Sequence, residues 1–184
     1  MRLKNLSCTF AVVAIFCLAG CASPPTNLVD GVPISDKNGV LVVGLHTDWE
    51  GHNNPLLASL ELIFKGGSET DPSIAYRNLT FQGKDYFTVM DLPAKKYHFY
   101  RQNFGARHLD IDEKSEFEIK AGSVTYIGDI TSNVSIAGFS AGTTLQVDDR
   151  FEVAKAYLND AYPKLLATHK IEKQILPLTV KRMK

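Results

Sequence analysis

Cys21 carries the most committed chemistry in the chain. It follows Leu18-Ala19-Gly20. Small Ala19 and Gly20 leave room beside a peptide bond that is to be cut, and a cysteine thiolate is a nucleophile that can be alkylated. A second cluster of chemistry-bearing residues runs from Asp48 to Pro55 and holds Trp49, Glu50, His52, Asn53 and Asn54. Trp49 is the only tryptophan. An indole face beside acids, a histidine and amides suits a sugar ring, by stacking and hydrogen bonds. The same residues suit a loop that closes one end of a β-domain, with Gly51 and the asparagines supplying turn conformations. Both readings of this loop stand.

Other chemistries find little to work with. The five histidines are His46, His52, His98, His108 and His169, and no pair has the H-x-x-x-H spacing that places two ligands on one helical face. His98 and His108 fall on neighbouring strands in the reading below, with Asp110 and Asp112 nearby, and their proximity is read as incidental. Gly138-Phe139-Ser140-Ala141-Gly142 matches the G-x-S-x-G string. A nucleophile elbow, however, needs a strand running into a helix, and Thr143-Thr144-Leu145 read as strand. Lys65-Gly66-Gly67-Ser68 has the wrong order for a phosphate loop. No metal, cofactor or catalytic residue is assigned.

The elements that must position these residues follow from periodicity. Arg2 and Lys4 precede an apolar stretch from Leu6 to Ala19. This is the layout of a secretory signal, and it is too short to remain as a membrane span. Ala22 to Asp36 contains Pro24, Pro25, Gly31 and Pro33 with no sustained apolar period, so residues 21–36 read as a flexible tether. From Val40 the period becomes two. Leu41, Val43 and Leu45 alternate with Val42, Gly44 and His46, and Leu60, Leu62 and Phe64 with Ser59, Glu61 and Lys65. Further strands fall at 86–92, 97–100, 116–120, 124–128 and 134–139. Seven or eight short strands between turns predict a mainly β fold, an antiparallel sandwich over residues 37–184. The tail is helical over about 149–170. Asp149-x-x-Glu152 reads as a capping box, and Phe151, Ala154, Leu158, Ala161 and Tyr162 make one apolar stripe that packs on the sandwich. Pro163 ends that stripe and suits the first position of another helical turn. Residues 175–180 fit either a last strand or an extended tail.

Three resemblances add to this. Leu18-Ala19-Gly20-Cys21 resembles the lipobox of bacterial lipoproteins at all four positions. It implies that residues 1–20 are removed and that Cys21 becomes an acylated first residue carrying diacylglycerol and palmitate-type chains. Cys8 and Cys17 would leave with the signal, so the mature chain forms no disulfide. Loss of Arg2 and Lys4 from 20 basic residues leaves 18 against 20 acidic ones, which argues against a nucleic-acid partner. Ala22 stands where an inner-membrane retention signal of this kind has Asp, which implies an outer-membrane destination in the cell envelope. Phe87 to Phe99, through Leu92-Pro93-Ala94-Lys95-Lys96-Tyr97, resembles the L-P-x-G-x-Y hairpin of prealbumin-like sandwiches, the carboxypeptidase regulatory-like domains among them, with Lys95 in place of Gly. Phe117 to Ile130 is similar to a strand–Ala-Gly–strand hairpin of uncharacterised bacterial lipoproteins with such a sandwich. These motifs carry turns and core positions rather than catalytic residues. The expected role is a membrane-anchored, non-enzymatic interaction or assembly module for another envelope protein. The alternative is a glycan or peptidoglycan-fragment binder using the Trp49 loop.

Overall fold

Strand β1 (Asn38–Thr47) is buried on both faces, and this organises the molecule. Val40 and Val42 point into one apolar cluster and Leu41, Val43 and Leu45 into another, all with no exposure. The alternation that suggested a half-buried strand marks instead two different partners, a second sheet on one side and helices on the other. The structure is a computed structural model that describes residues 28–47, 60–67, 75–81, 86–105, 107–111, 115–137 and 140–178.

Two sheets face each other. In the first, β1 lies between β8 (Ser123–Ala137) and β4 (Tyr86–Pro93), β10 (Lys170–Lys173) joins the other side of β8, and β9 (Ser140–Asp148) pairs with the far half of β8. In the second, β2 (Leu60–Gly66) lies between β3 (Ala75–Phe81) and β5 (Lys95–Phe104), and β5 carries both β6 (Arg107–Asp110) and β7 (Glu116–Ile119) on its other side. The mainly β, two-sheet architecture with a C-terminal helix is the expected one. The first sheet is mixed rather than antiparallel, because β1 and β10 both run parallel to β8. Segment 124–128 and the described part of the next one, 134–137, belong to one 15-residue strand, β8. Strands β3, β6 and β10 lack the long apolar alternation that periodicity requires. An edge strand such as β3 needs only Leu79 and Phe81 turned inward.

Both turns read as hairpins are corners between the sheets. Strand β4 belongs to the first sheet and β5 to the second, and β7 and β8 are divided likewise. The Tyr97 hydroxyl holds the first corner by donating to the Pro93 carbonyl at 2.8 Å. The Gly122 N–H holds the second by donating to the Asn38 carbonyl at 2.8 Å. Each corner thus feeds a buried side chain into the space between the sheets, where Phe64, Tyr97, Phe99 and Phe117 pack ring against ring.

The helical layer covers the outer face of the first sheet. Helices α1 (Phe151–Ala161) and α2 (Pro163–Thr168) fill the segment expected to be helical over about 149–170, and Pro163 opens the second of them as its position suggests. Ala154, Leu158, Tyr162 and Leu165 lie buried against Val40, Val42, Val89, Val124 and Tyr126. Ala161, placed on the apolar stripe by spacing, is exposed. The capping box does not form. Arg150 occupies the N-cap with no side-chain cap bond. Asp149 is divided between the Phe151 N–H and the Lys173 ammonium, at 3.2 and 2.9 Å. The physical reason is tertiary: the Arg150 N–H donates to the Tyr126 hydroxyl at 3.1 Å, which sets where the helix starts.

Residues 28–36, assigned by composition to the tether, lie against the domain. The Leu28 N–H donates to the Val89 carbonyl at 2.8 Å, and Leu28 and Ile34 pack on the helical-side core. Asp30 accepts the Lys164 and Leu165 N–H groups at 3.3 and 3.0 Å. It therefore caps α2 from a distant part of the chain, where the helix start leaves donors unpaired. At the other end, Gln174 and Leu176 donate to the Tyr126 and Ile127 carbonyls, extending the chain beside β8 beyond β10. Leu176 is buried in the core between the sheets.

Candidate functional site

One buried polar cluster stands out, and a backbone irregularity in β8 creates it. Val42 of β1 is paired with Tyr126, but Gly44, two residues on, is paired with Asp129, three residues on. The extra residue is a β-bulge, and Gly128 sits in it at φ +112°, a conformation costly for any side chain. With regular alternation Asp129 would follow Ile127 into the apolar space between the sheets. The bulge turns it to the helical side, beside Tyr126. Gly44 opposite leaves the room, since a Cβ there would collide with the Asp129 carboxylate.

Asp129 has no exposure, yet both its oxygens are engaged. The Tyr126 hydroxyl donates to Oδ1 at 2.6 Å. His46 Nε2 lies 2.9 Å from Oδ2, so this nitrogen carries the proton and donates it. Arg150 Nη1 stands 3.5 Å from the same oxygen. Its 3.4 Å approach to His46 Nε2 is then a meeting of two donors at one acceptor rather than a bond between them. The Tyr126 hydroxyl also accepts the Arg150 N–H, so a continuous chain of bonds runs from sheet to helix start. A carboxylate at this end of α1 also faces the positive end of the helix dipole. Burial, and then the bond to Asp129, push the Tyr126 phenol far above its ordinary value. The arrangement is a staple: a desolvated anion held by a phenol, an imidazole and a guanidinium, fixing α1 on the first sheet.

Three further tyrosines share the upward shift. Burial raises Tyr86, Tyr97 and Tyr162 each to about 12 from 10.0. A folded-state value above the unfolded one means that the fold holds the proton more tightly. The associated stability is therefore complete below pH 10 and lost as pH climbs through 12. Thermal melts should hold steady up to the lower limit and fall steeply beyond it, with tyrosinate absorbance appearing in step with unfolding. Early ionisation of all the tyrosines without loss of structure would contradict this.

The residues singled out by sequence fare differently. Cys21, Trp49, Glu50, His52, Asn53, Asn54 and Asp112 lie outside the described residues. Strand β1 ends at Thr47, so His46 stands at the foot of the 48–59 segment. His98 and His108 do not face each other: His98 is opposite Glu116 and His108 opposite Asn103, several residues apart along β5. Asp110 pairs instead with Arg101 at 3.1 Å. Ser140 begins β9, antiparallel to β8, so a strand follows the G-x-S-x-G string rather than a helix. Among the described residues no group of three His, Cys, Asp or Glu could hold a metal ion. Among the same residues no helix is long and apolar enough to cross a membrane. The Tyr126–Asp129 pairing was not anticipated. Its one signal was local: Tyr126-Ile127-Gly128-Asp129 sets two large apolar residues side by side before a glycine, which breaks the period of two.

Comparison with protein families produced no match, and comparison with curated proteins produced none.

Proposed function

We propose that this chain is a lipid-anchored protein of the bacterial envelope whose two-sheet domain serves in binding or assembly rather than catalysis. The observation that carries the reading is the Leu18-Ala19-Gly20-Cys21 quartet closing an apolar run that begins after Arg2 and Lys4. A near-balanced charge fits a role away from nucleic acids. The buried cluster around Asp129 supports a structural use of its most polar residues, since both carboxylate oxygens are bonded to groups of the same domain. An outer-membrane destination rests on Ala22 after the cysteine.

The experiment compares the wild type with Cys21→Ala in cells fed a labelled fatty acid. The wild type should incorporate label and sediment with membranes. The variant should lose the label and leave the membrane fraction. Crosslinking in intact cells should recover a defined envelope protein with the wild type and far less with the variant. A wild type without label would refute the anchor, and crosslinking that yields no specific partner would refute the binding role.

A further inference from the structure

The turn at residues 29–32 has an unusual combination of rigidity and apolar exposure. Val29 and Val32 are 67% and 52% exposed, among the most exposed large apolar side chains described. They flank Asp30 and Gly31 in a turn closed by the Val32 N–H on the Val29 carbonyl at 3.2 Å. Nothing about this turn is loose. Asp30 is bonded to the first N–H groups of α2, and Leu28 is bonded to β4. Gly31, at φ +83°, lies under the Lys164 side chain so closely that a Cβ would meet its Cδ at 2.9 Å. The domain thus holds two valines outward on a clamped turn, with a lysine across it.

The chain length before this turn says what it faces. Only residues 22–27 separate Cys21 from the docked Leu28, and fully extended they span no more than about 25 Å. The turn belongs to the helical layer, the outermost on this side. A lipid on Cys21 therefore keeps this clamped turn within about 25 Å of the bilayer. We infer that Val29, Val32 and Lys164 form a membrane-contacting face, the valines entering the headgroup region and the ammonium meeting anionic phosphates. This rests on the proposed acylation of Cys21 and deepens it.

The test is lysine footprinting with a membrane-impermeant acylating reagent. The purified mature protein is reconstituted in vesicles of phosphatidylethanolamine and phosphatidylglycerol, and labelling of Lys164 is compared with Lys96, which is exposed on the outer face of the second sheet. Vesicles should protect Lys164 several-fold and leave Lys96 unchanged, and the double variant Val29→Ser, Val32→Ser should lose most of that protection. Equal labelling of the two lysines overturns the proposal. So does protection of Lys164 without vesicles that grows with protein concentration, which would make a second copy the occupant. Intact mass reports the acyl chains separately. If Cys21 carries none, its thiol is coupled to a maleimide phospholipid, and the same comparison decides the face while the anchor reading alone falls.

Discussion

Replacing Asp129 by Ala should lower stability by about 3–5 kcal/mol, because it strands partners that a buried anion now satisfies. For a domain of this size that corresponds to a fall in Tm of roughly 10 °C or more. The His46 Nε2–H and the Tyr126 hydroxyl would both lose their acceptor. Arg150 is nearer to water, its side chain 43% exposed, and contributes less. The loss should be local before it is global. Amide exchange should accelerate first at the start of α1, where the Arg150 N–H leans on Tyr126. Thermal melting and exchange of the same variant check both claims. If Asp129→Ala instead left Tm unchanged or raised it, the cluster would not be a staple. A buried polar group kept without a stability benefit is the mark of a functional site.

Phe64→Ala should be of similar size, about 3–5 kcal/mol, by a different mechanism. Phe64 is fully buried and its ring centroid lies 5.7, 6.0 and 5.7 Å from those of Tyr97, Phe99 and Phe117. Those neighbours cannot easily close the gap. Tyr97 and Phe117 already stack on each other at 5.6 Å, and Tyr97 is further held by its bond to Pro93. The cavity therefore persists, and the cost combines lost burial with lost contacts. In urea the midpoint should drop while the slope stays constant, since the same surface is still exposed on unfolding. A cost under about 1 kcal/mol would mean that the rings do collapse into the space.

Much of the fold was legible because burial on a strand repeats every two residues and on a helix every three or four. Leu60-Leu62-Phe64 and Phe117-Ile119 announce inward faces that the structure confirms, as do Ala154 and Leu158 on α1. The corner at Pro93-Ala94-Lys95 was legible as a turn and misread as a hairpin. A turn's residues specify how the backbone bends, whereas the sheet that the next strand joins is decided by what else can pair with it. The helix start was misread for a related reason. Asp149 and Glu152 have the right local spacing, but Lys173 and Tyr126 compete for Asp149 and Arg150 from elsewhere in the chain.

By itself, then, the sequence determined the class of fold and the approximate elements, and its Leu18-Ala19-Gly20-Cys21 quartet is the ground for the proposed anchor. These are properties of neighbours in the chain, and local periodicity or local chemistry reports them. Tertiary structure alone decided that Asp129 faces Tyr126 and His46, that Asp30 caps α2, and that Val29 and Val32 are held outward. Each depends on a pairing between distant segments: a bulge exists only relative to the strand opposite, and a cap supplied from 134 residues away leaves no trace in the helix that it serves.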